Sequence, residues 1–218
     1  AEDGIRDLVR SRGLGDVYKR QSVGYRASLS NQIRTVSGGA NSPASGQGDT
    51  IDYITIAQKG NSVDFGDLSG TKSSMHALAS TTRGIFAGGT SSPKIEFVTI
   101  MTTGNAVDFG SLSFGTVAGH GCSNATRGIM KMRGSSYVNT MEFVTIATLG
   151  NSVDFGDATN NAGGAAAMAS STRAIYAGGY GSPSFRTEIG SNEIATLGDA
   201  VKFGDLSYAA DHVAGLSN

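Results

Sequence analysis

The residues with the greatest chemical potential in this chain recur at fixed spacing. Arg83, Arg127 and Arg173 lie 44 and 46 residues apart, in TTRGIF, ATRGIM and STRAIY. Asp64, Asp108 and Asp154 keep the same intervals, and His76 and His120 each stand seven residues before an arginine. Guanidinium forks match carboxylates, carboxylates from separate segments can share a proton or a cation, and converging imidazoles can begin a metal site. The regularity argues for the simpler reading, in which a residue met once per repeat helps to build the repeat. Lys202 holds the aspartate position in the last copy, and Ala166 holds the histidine position in the third. His212 would share that position were an arginine to follow directly after Asn218. Glu96 and Glu142 are the expected partners of the arginines. Cys122 has no catalytic partner at local spacing, and phosphate-loop, nucleophile-elbow and zinc-helix motifs are missing. No catalytic, cofactor-binding or metal-ligating residue is therefore expected, and the chain reads as a protein without enzymatic activity.

The elements that position these residues are equally periodic. FVTIATLGNSVDFGD (Phe143 to Asp157) reappears as YITIAQKGNSVDFGD (Tyr53 to Asp67), as FVTIMTTGNAVDFGS (Phe97 to Ser111) and, decayed, as NEIATLGDAVKFGD (Asn192 to Asp205). Arg34 in NQIRTV marks a diverged first copy. A period of about 44 to 49 residues is the length of one propeller blade. Each repeat divides into four strands: a small apolar one (SSMHALAS), TRGIFAGG, IEFVTI and AVDFG. Small residues in the first suit an innermost strand crowded near a central axis. The Gly-Gly pairs at Gly38-Gly39, Gly88-Gly89 and Gly178-Gly179 suit a turn with positive φ. Gly60-Asn61, Gly104-Asn105, Gly150-Asn151 and Gly198-Asp199 read as hairpin turns between the third and fourth strands, and alternation then places Val63 and Phe65 on one face. The expected fold is all-β, a propeller of about four blades with four antiparallel strands each. The Leu-Ser-Asn at Leu29 to Asn31 returns at Leu216 to Asn218, as though the four repeats were cut from a larger ring.

Composition agrees with this reading. The 218 residues include 32 Gly, 3 Pro and no Trp. A net charge of -1 gives no reason to expect nucleic-acid binding. No apolar run is long enough to predict membrane insertion. A single cysteine forms no internal disulfide. Residues 1–21 stand apart from 22–218: they hold nine of the 35 charged residues and lack the period. Their end, RGLGDVYKRQ, resembles a transposase-type sequencing adapter translated in frame, so the segment is expected to be non-native and the repeats to be a fragment from environmental DNA.

TRGIFAGG, a Ser/Thr/Pro turn, IEFVTI and GNAVDFGSL together resemble the kelch-like repeats of structural proteins in marine tailed bacteriophages, over roughly residues 27–218. The kelch tryptophan is missing, and the phenylalanine of VDFG is expected to take its packing place. The resemblance implies a virion component, in the manner of a tail fibre or adhesin, with other virion proteins and a host-surface glycan or protein as partners. It carries over no catalytic residue and no cofactor. Ser62-x-Asp64-x-Gly66 and Ser152-x-Asp154-x-Gly156 also partly match the Asp box of sialidase-like propellers, without its Thr-Trp half. A carbohydrate-active enzyme and a cellular kelch-like scaffold are accordingly the alternative readings.

Binding is sought in the loops that follow the Gly-Gly position, because loops on a repeated scaffold carry function. They vary more than the strands do: GGANSPASGQGDT, GGTSSPK, KMRGSSYVNT and GGYGSPSFRTE. Tyr137, Tyr180, Phe185 and Arg186 are the candidate ligand-binding residues.

Overall fold

A computed structural model describes residues 24–42, 46–211 and 215. The expectations placed on residues 1–21, on His212 and on Leu216 to Asn218 lie outside the described residues. Among those described, every regular element is a strand, so no helix is long and apolar enough to cross a membrane. The repeats form four antiparallel four-stranded sheets in chain order. The first comprises β1 (Ala27–Ser30), β2 (Arg34–Ser42), β3 (Gly46–Thr55) and β4 (Val63–Lys72). The second comprises β5 (His76–Ala79), β6 (Arg83–Ala87), β7 (Ser92–Thr99) and β8 (Val107–Thr116). The third comprises β9 (His120–Ser123), β10 (Arg127–Lys131), β11 (Thr140–Thr145) and β12 (Val153–Asp157). In the fourth, β13 (Ala166–Ala169) and β14 (Arg173–Ala177) precede a small hairpin, β15 (Tyr180–Gly181) with β16 (Ser184–Phe185). β17 (Glu188–Glu193) and β18 (Val201–Asp205) complete that sheet.

The tight hairpin of each repeat lies between its first two strands. Asn31 Oδ1 accepts hydrogen bonds from the Ile33 and Arg34 amides at 2.8 and 2.7 Å, and Asn124 repeats this with Thr126 and Arg127 at 3.0 and 2.8 Å. Ser80 and Ser170 do the same with their hydroxyls. Short polar side chains that bond the backbone two or three residues ahead favour turns over continued strand.

The core lies between sheets. Three apolar clusters each join the leading face of one sheet to the trailing face of the next: Val36, Ile51, Phe65 and Leu68 meet Met75, Phe86, Val98 and Ile100. Ile85, Ile95, Phe109 and Leu112 meet Met130, Met132, Val144 and Ile146. Cys122, Ile129, Met141 and Phe155 meet Ala174, Tyr176 and Ile194. Side-chain sizes compensate across these junctions. A Cβ on Gly84 or Gly128 would come within 2.5 Å of Leu29 or Leu78 of the preceding sheet. The smaller Cys122 takes the leucine position before the fourth sheet, where Ala174 replaces the glycine. Among the described residues no cluster joins the fourth sheet to the first, and no closed ring forms. The described residues form an open series of four blade-like sheets.

Two local expectations need correction. Val63 and Phe65 do not share an environment: Val63 is 53% exposed and Phe65 3%. Ile51 pairs with Gly66 while Asp52 pairs with Asp64, so Phe65 is the extra residue of a β-bulge. A bulge breaks the two-residue alternation and re-aims a side chain, here into the junction. The same shift recurs at Phe109, Phe155 and Phe203.

The Gly-Asn pairs, for their part, do not make two-residue hairpins. They sit in longer connections, and the last three fasten the preceding sheet. The Gly104 amide donates to the Phe65 carbonyl at 2.7 Å, the Ala106 amide to the Asp67 carbonyl at 2.8 Å, and Asn105 Oδ1 accepts from the Asp67 amide at 3.0 Å. Gly150-Asn151 binds Phe109 and Ser111 identically, as Gly198-Asp199 binds Phe155 and Asp157. An aspartate serves in the last copy because only a side-chain acceptor is needed. The glycine of VDFG completes this latch: a Cβ on Gly66 or Gly156 would meet the turn of the next sheet at 2.5 or 2.6 Å.

Candidate functional site

The periodic residues hold the junctions together. Arg34, Arg83 and Arg127 each lie 4.4 Å from the ring centroid of Tyr53, Phe97 and Phe143. Each then donates across the junction to a backbone carbonyl of the next sheet, Ile100 at 3.2 Å, Ile146 at 2.8 Å and Ile194 at 2.7 Å. They do not pair with Glu96 or Glu142, as the sequence led us to expect, and each spends its guanidinium on a different carbonyl. Among the described residues no sheet follows that of Arg173, which pairs with Glu193 at 3.1 Å and lies 5.9 Å from the Phe203 ring.

Glu96 is fully buried between the first two sheets. It accepts from Lys72 at 2.6 Å and from the Ser69 amide at 2.9 Å. Burial alone would raise its pKa, but Lys72 and Ser69 outweigh it and hold the carboxyl below the usual range. Glu142 occupies the same place in the third sheet and takes the Ser113 and Ser152 hydroxyls instead. Asp64, Asp108 and Asp154 are exposed on the outermost strands. His76 and His120 lie on successive innermost strands, and no cluster fit to hold a metal ion occurs among the described residues. Cys122 is buried against the Tyr176 hydroxyl at 3.5 Å, and burial pushes its thiol up to about 11. A thiol so raised is a poor nucleophile.

Three of the four loop residues come together, and Arg186 stands beside Phe185 on the same hairpin. Tyr137 follows β10 in the third sheet, and Tyr180 and Phe185 pair across the β15–β16 hairpin of the fourth. Their rings form an edge-to-face run, 5.6 Å from Tyr137 to Tyr180 and 5.2 Å from Tyr180 to Phe185. Backbone bonds fix the frame: Gly163 and Tyr180 exchange amide-to-carbonyl bonds at 2.9 and 2.7 Å, and the Arg186 amide donates to the Gly179 carbonyl at 2.8 Å. Gly179 needs its φ of 99° to admit this turn.

Cations flank the rings. Arg133 lies 4.6 Å over the Tyr137 ring and donates to its hydroxyl at 3.2 Å. A Cβ on Gly163 would come within 2.1 Å of the Arg133 side chain, so a larger residue there would displace Arg133. Arg186 approaches Asn161 Oδ1 at 3.4 Å, while its buried Nε has no protein acceptor. Beneath them Lys131, 4% exposed, donates to Asn160 Oδ1 at 2.8 Å. Burial lowers its pKa to about 8, with Glu188 opposing the shift and Arg186 adding to it. Phe185 is 53% exposed and Tyr137, Tyr180 and Arg186 are half-buried. The surface therefore offers aromatic faces and edges beside guanidinium and amide donors. Arg133 and Lys131 were visible in sequence only as the local cluster Lys131-Met132-Arg133. Their place under the ring run depends on the fourth sheet's hairpin folding back over the third.

No family model matches this chain, and no curated protein sequence matches it.

Proposed function

We propose that this chain is a non-enzymatic binding module of a phage virion, tail-fibre-like, which holds a host-surface glycan on the loop surface of its third and fourth sheets. The observation that carries the reading is the ring run Tyr137–Tyr180–Phe185, built from two sheets and flanked by Arg133 and Arg186. Sugar rings stack their C–H faces on aromatics, while arginine and amide donors take hydroxyl or carboxylate oxygens. The virion setting rests on the resemblance of the repeats to phage kelch-like structural proteins. Tail or capsid genes adjoining the intact gene would support it, and that gene would also decide whether residues 1–21 are encoded.

The test of binding is a glycan array followed by calorimetry on the best ligand. Tyr180→Ala and Arg186→Ala should each weaken that ligand about tenfold or more, since anchoring residues of this kind each carry more than about 1.4 kcal/mol. Binding that is indifferent to both substitutions removes the assignment of the site. Sugar release that depends on Asp108 would instead favour the carbohydrate-active reading.

A further inference from the structure

The three junctions repeat one latch, and among the described residues the series leaves half of that latch at each end. At the fourth sheet, Phe203 is 56% exposed, whereas its counterparts Phe65, Phe109 and Phe155 are 3%, 3% and 1% exposed. Among the described residues no turn meets the Phe203 and Asp205 backbone, and a Cβ on Gly204 would touch nothing within 4 Å. Arg173, which in earlier sheets would reach the next sheet's isoleucine carbonyl, reaches none. At the first sheet, the Gly60-Asn61 turn makes, among the described residues, none of the cross-sheet bonds that the Gly104, Gly150 and Gly198 turns make. Ile54 and Ile56, in the places of the buried Val98 and Ile100, are 44% and 53% exposed. Ile33, bonded to Ile56 through its carbonyl, adds a third exposed apolar side chain where the later repeats hold Thr82, Thr126 and Thr172.

We propose that a second copy of this chain supplies what each end lacks: the leading face of the fourth sheet in one copy receives the trailing face of the first sheet in another. The Gly60-Asn61 turn then bonds Phe203 and Asp205 as Gly198-Asp199 bonds Phe155 and Asp157, and Arg173 gains the Ile56 carbonyl. The contact is heterologous and head-to-tail. It is weaker than the internal junctions. Arg26, Ser28, Ser37 and Asp52 stand on the first sheet where the second carries Met75, Ala77, Phe86 and Glu96. The Arg26–Asp52 ion pair at 2.7 Å and the Ser28–Ser37 hydrogen bond keep that half of the face hydrated. A half-polar face suits reversible rather than obligate assembly.

Sedimentation velocity on the full chain, from low to high micromolar, tests this. Mass should rise with concentration. Gly204→Val should weaken association by more than about tenfold, a loss of at least roughly 1.4 kcal/mol, because its side chain would fill the socket the turn needs. The folded monomer should be untouched, because that space is open within one chain. Asn61→Ala should weaken association in the same direction. Val107→Thr, at an exposed strand start away from both ends, should change nothing and so separates the latch from general stickiness. A monomer at every concentration overturns the proposal, whether the fourth sheet stays bare or closes on the first sheet of its own chain. Association that survives both Gly204→Val and Asn61→Ala overturns it as well.

Discussion

His76 carries the sharpest pH consequence of any single residue. It is fully buried on β5, where, among the described residues, only the His120 backbone stands near its ring as a polar partner. Burial holds its pKa down to about 4, and the nearby His120 backbone only partly offsets this. The folded protein keeps the ring neutral, while the unfolded chain protonates it below its ordinary value near 6.5. This term of the stability is therefore intact above about pH 6.5 and is lost as pH falls toward 4, by up to about 3 kcal/mol. Urea midpoints at pH 7.5, 5.5 and 4.5 should fall steeply for the wild type and less steeply for His76→Leu, which cannot titrate. Equal slopes would show that His76 is not held neutral. Lys72 and Glu96 add a separate loss below the ordinary carboxylate range, because Glu96 must give up its paired, ionised form there.

At the scale of the strand, the bulged phenylalanine is the element's main contribution, and its worth depends on whether another sheet covers it. Phe155→Ala should cost about 3–5 kcal/mol, the range for emptying a buried aromatic site. Phe203→Ala, at the same register but on the bare leading face, should cost under about 0.5 kcal/mol in dilute monomer. Comparable losses in chemical denaturation would mean that the fourth face is covered after all. The same strand shows what the sequence made legible. The repeat length, the four-strand unit, the positive-φ Gly-Gly pairs and the packing role of the VDFG phenylalanine all follow from pattern, because each is a local property copied several times. The latch did not. Gly-Asn between two apolar runs signals a hairpin locally, yet Asn105 and Asn151 bond the preceding sheet some 38 and 40 residues back. Val63 looked like a companion to Phe65 because alternation hides a bulge, which is set by pairing with β3. Tyr137, Tyr180, Phe185 and Arg186 were legible as variable loops, whereas their edge-to-face run depends on two sheets stacking.

At the scale of the molecule, sheets that touch only their neighbours should behave as a one-dimensional array, in which each unit's stability is its own plus that of its contacts. The second and third sheets are covered on both faces, the first on its leading face and the fourth on its trailing face. The fourth also lacks the aromatic partner of its bulged phenylalanine, since Ser191 stands where Phe97 and Phe143 pair edge-to-face with Phe109 and Phe155 at 6.2 and 5.9 Å. Opening should therefore begin at the fourth sheet, because local unfolding follows low local burial. In native-state hydrogen exchange at low concentration, amides of β17 and β18 should exchange well ahead of those of β7, β8, β10 and β11. Raising the concentration should slow β18 and β3 together and leave the middle sheets unchanged, because head-to-tail contact covers only the two ends. Exchange that is uniform along the chain would instead mark one cooperative unit. A β18 already as slow as β8 in dilute solution would mean that the fourth sheet finds its cover within a single chain.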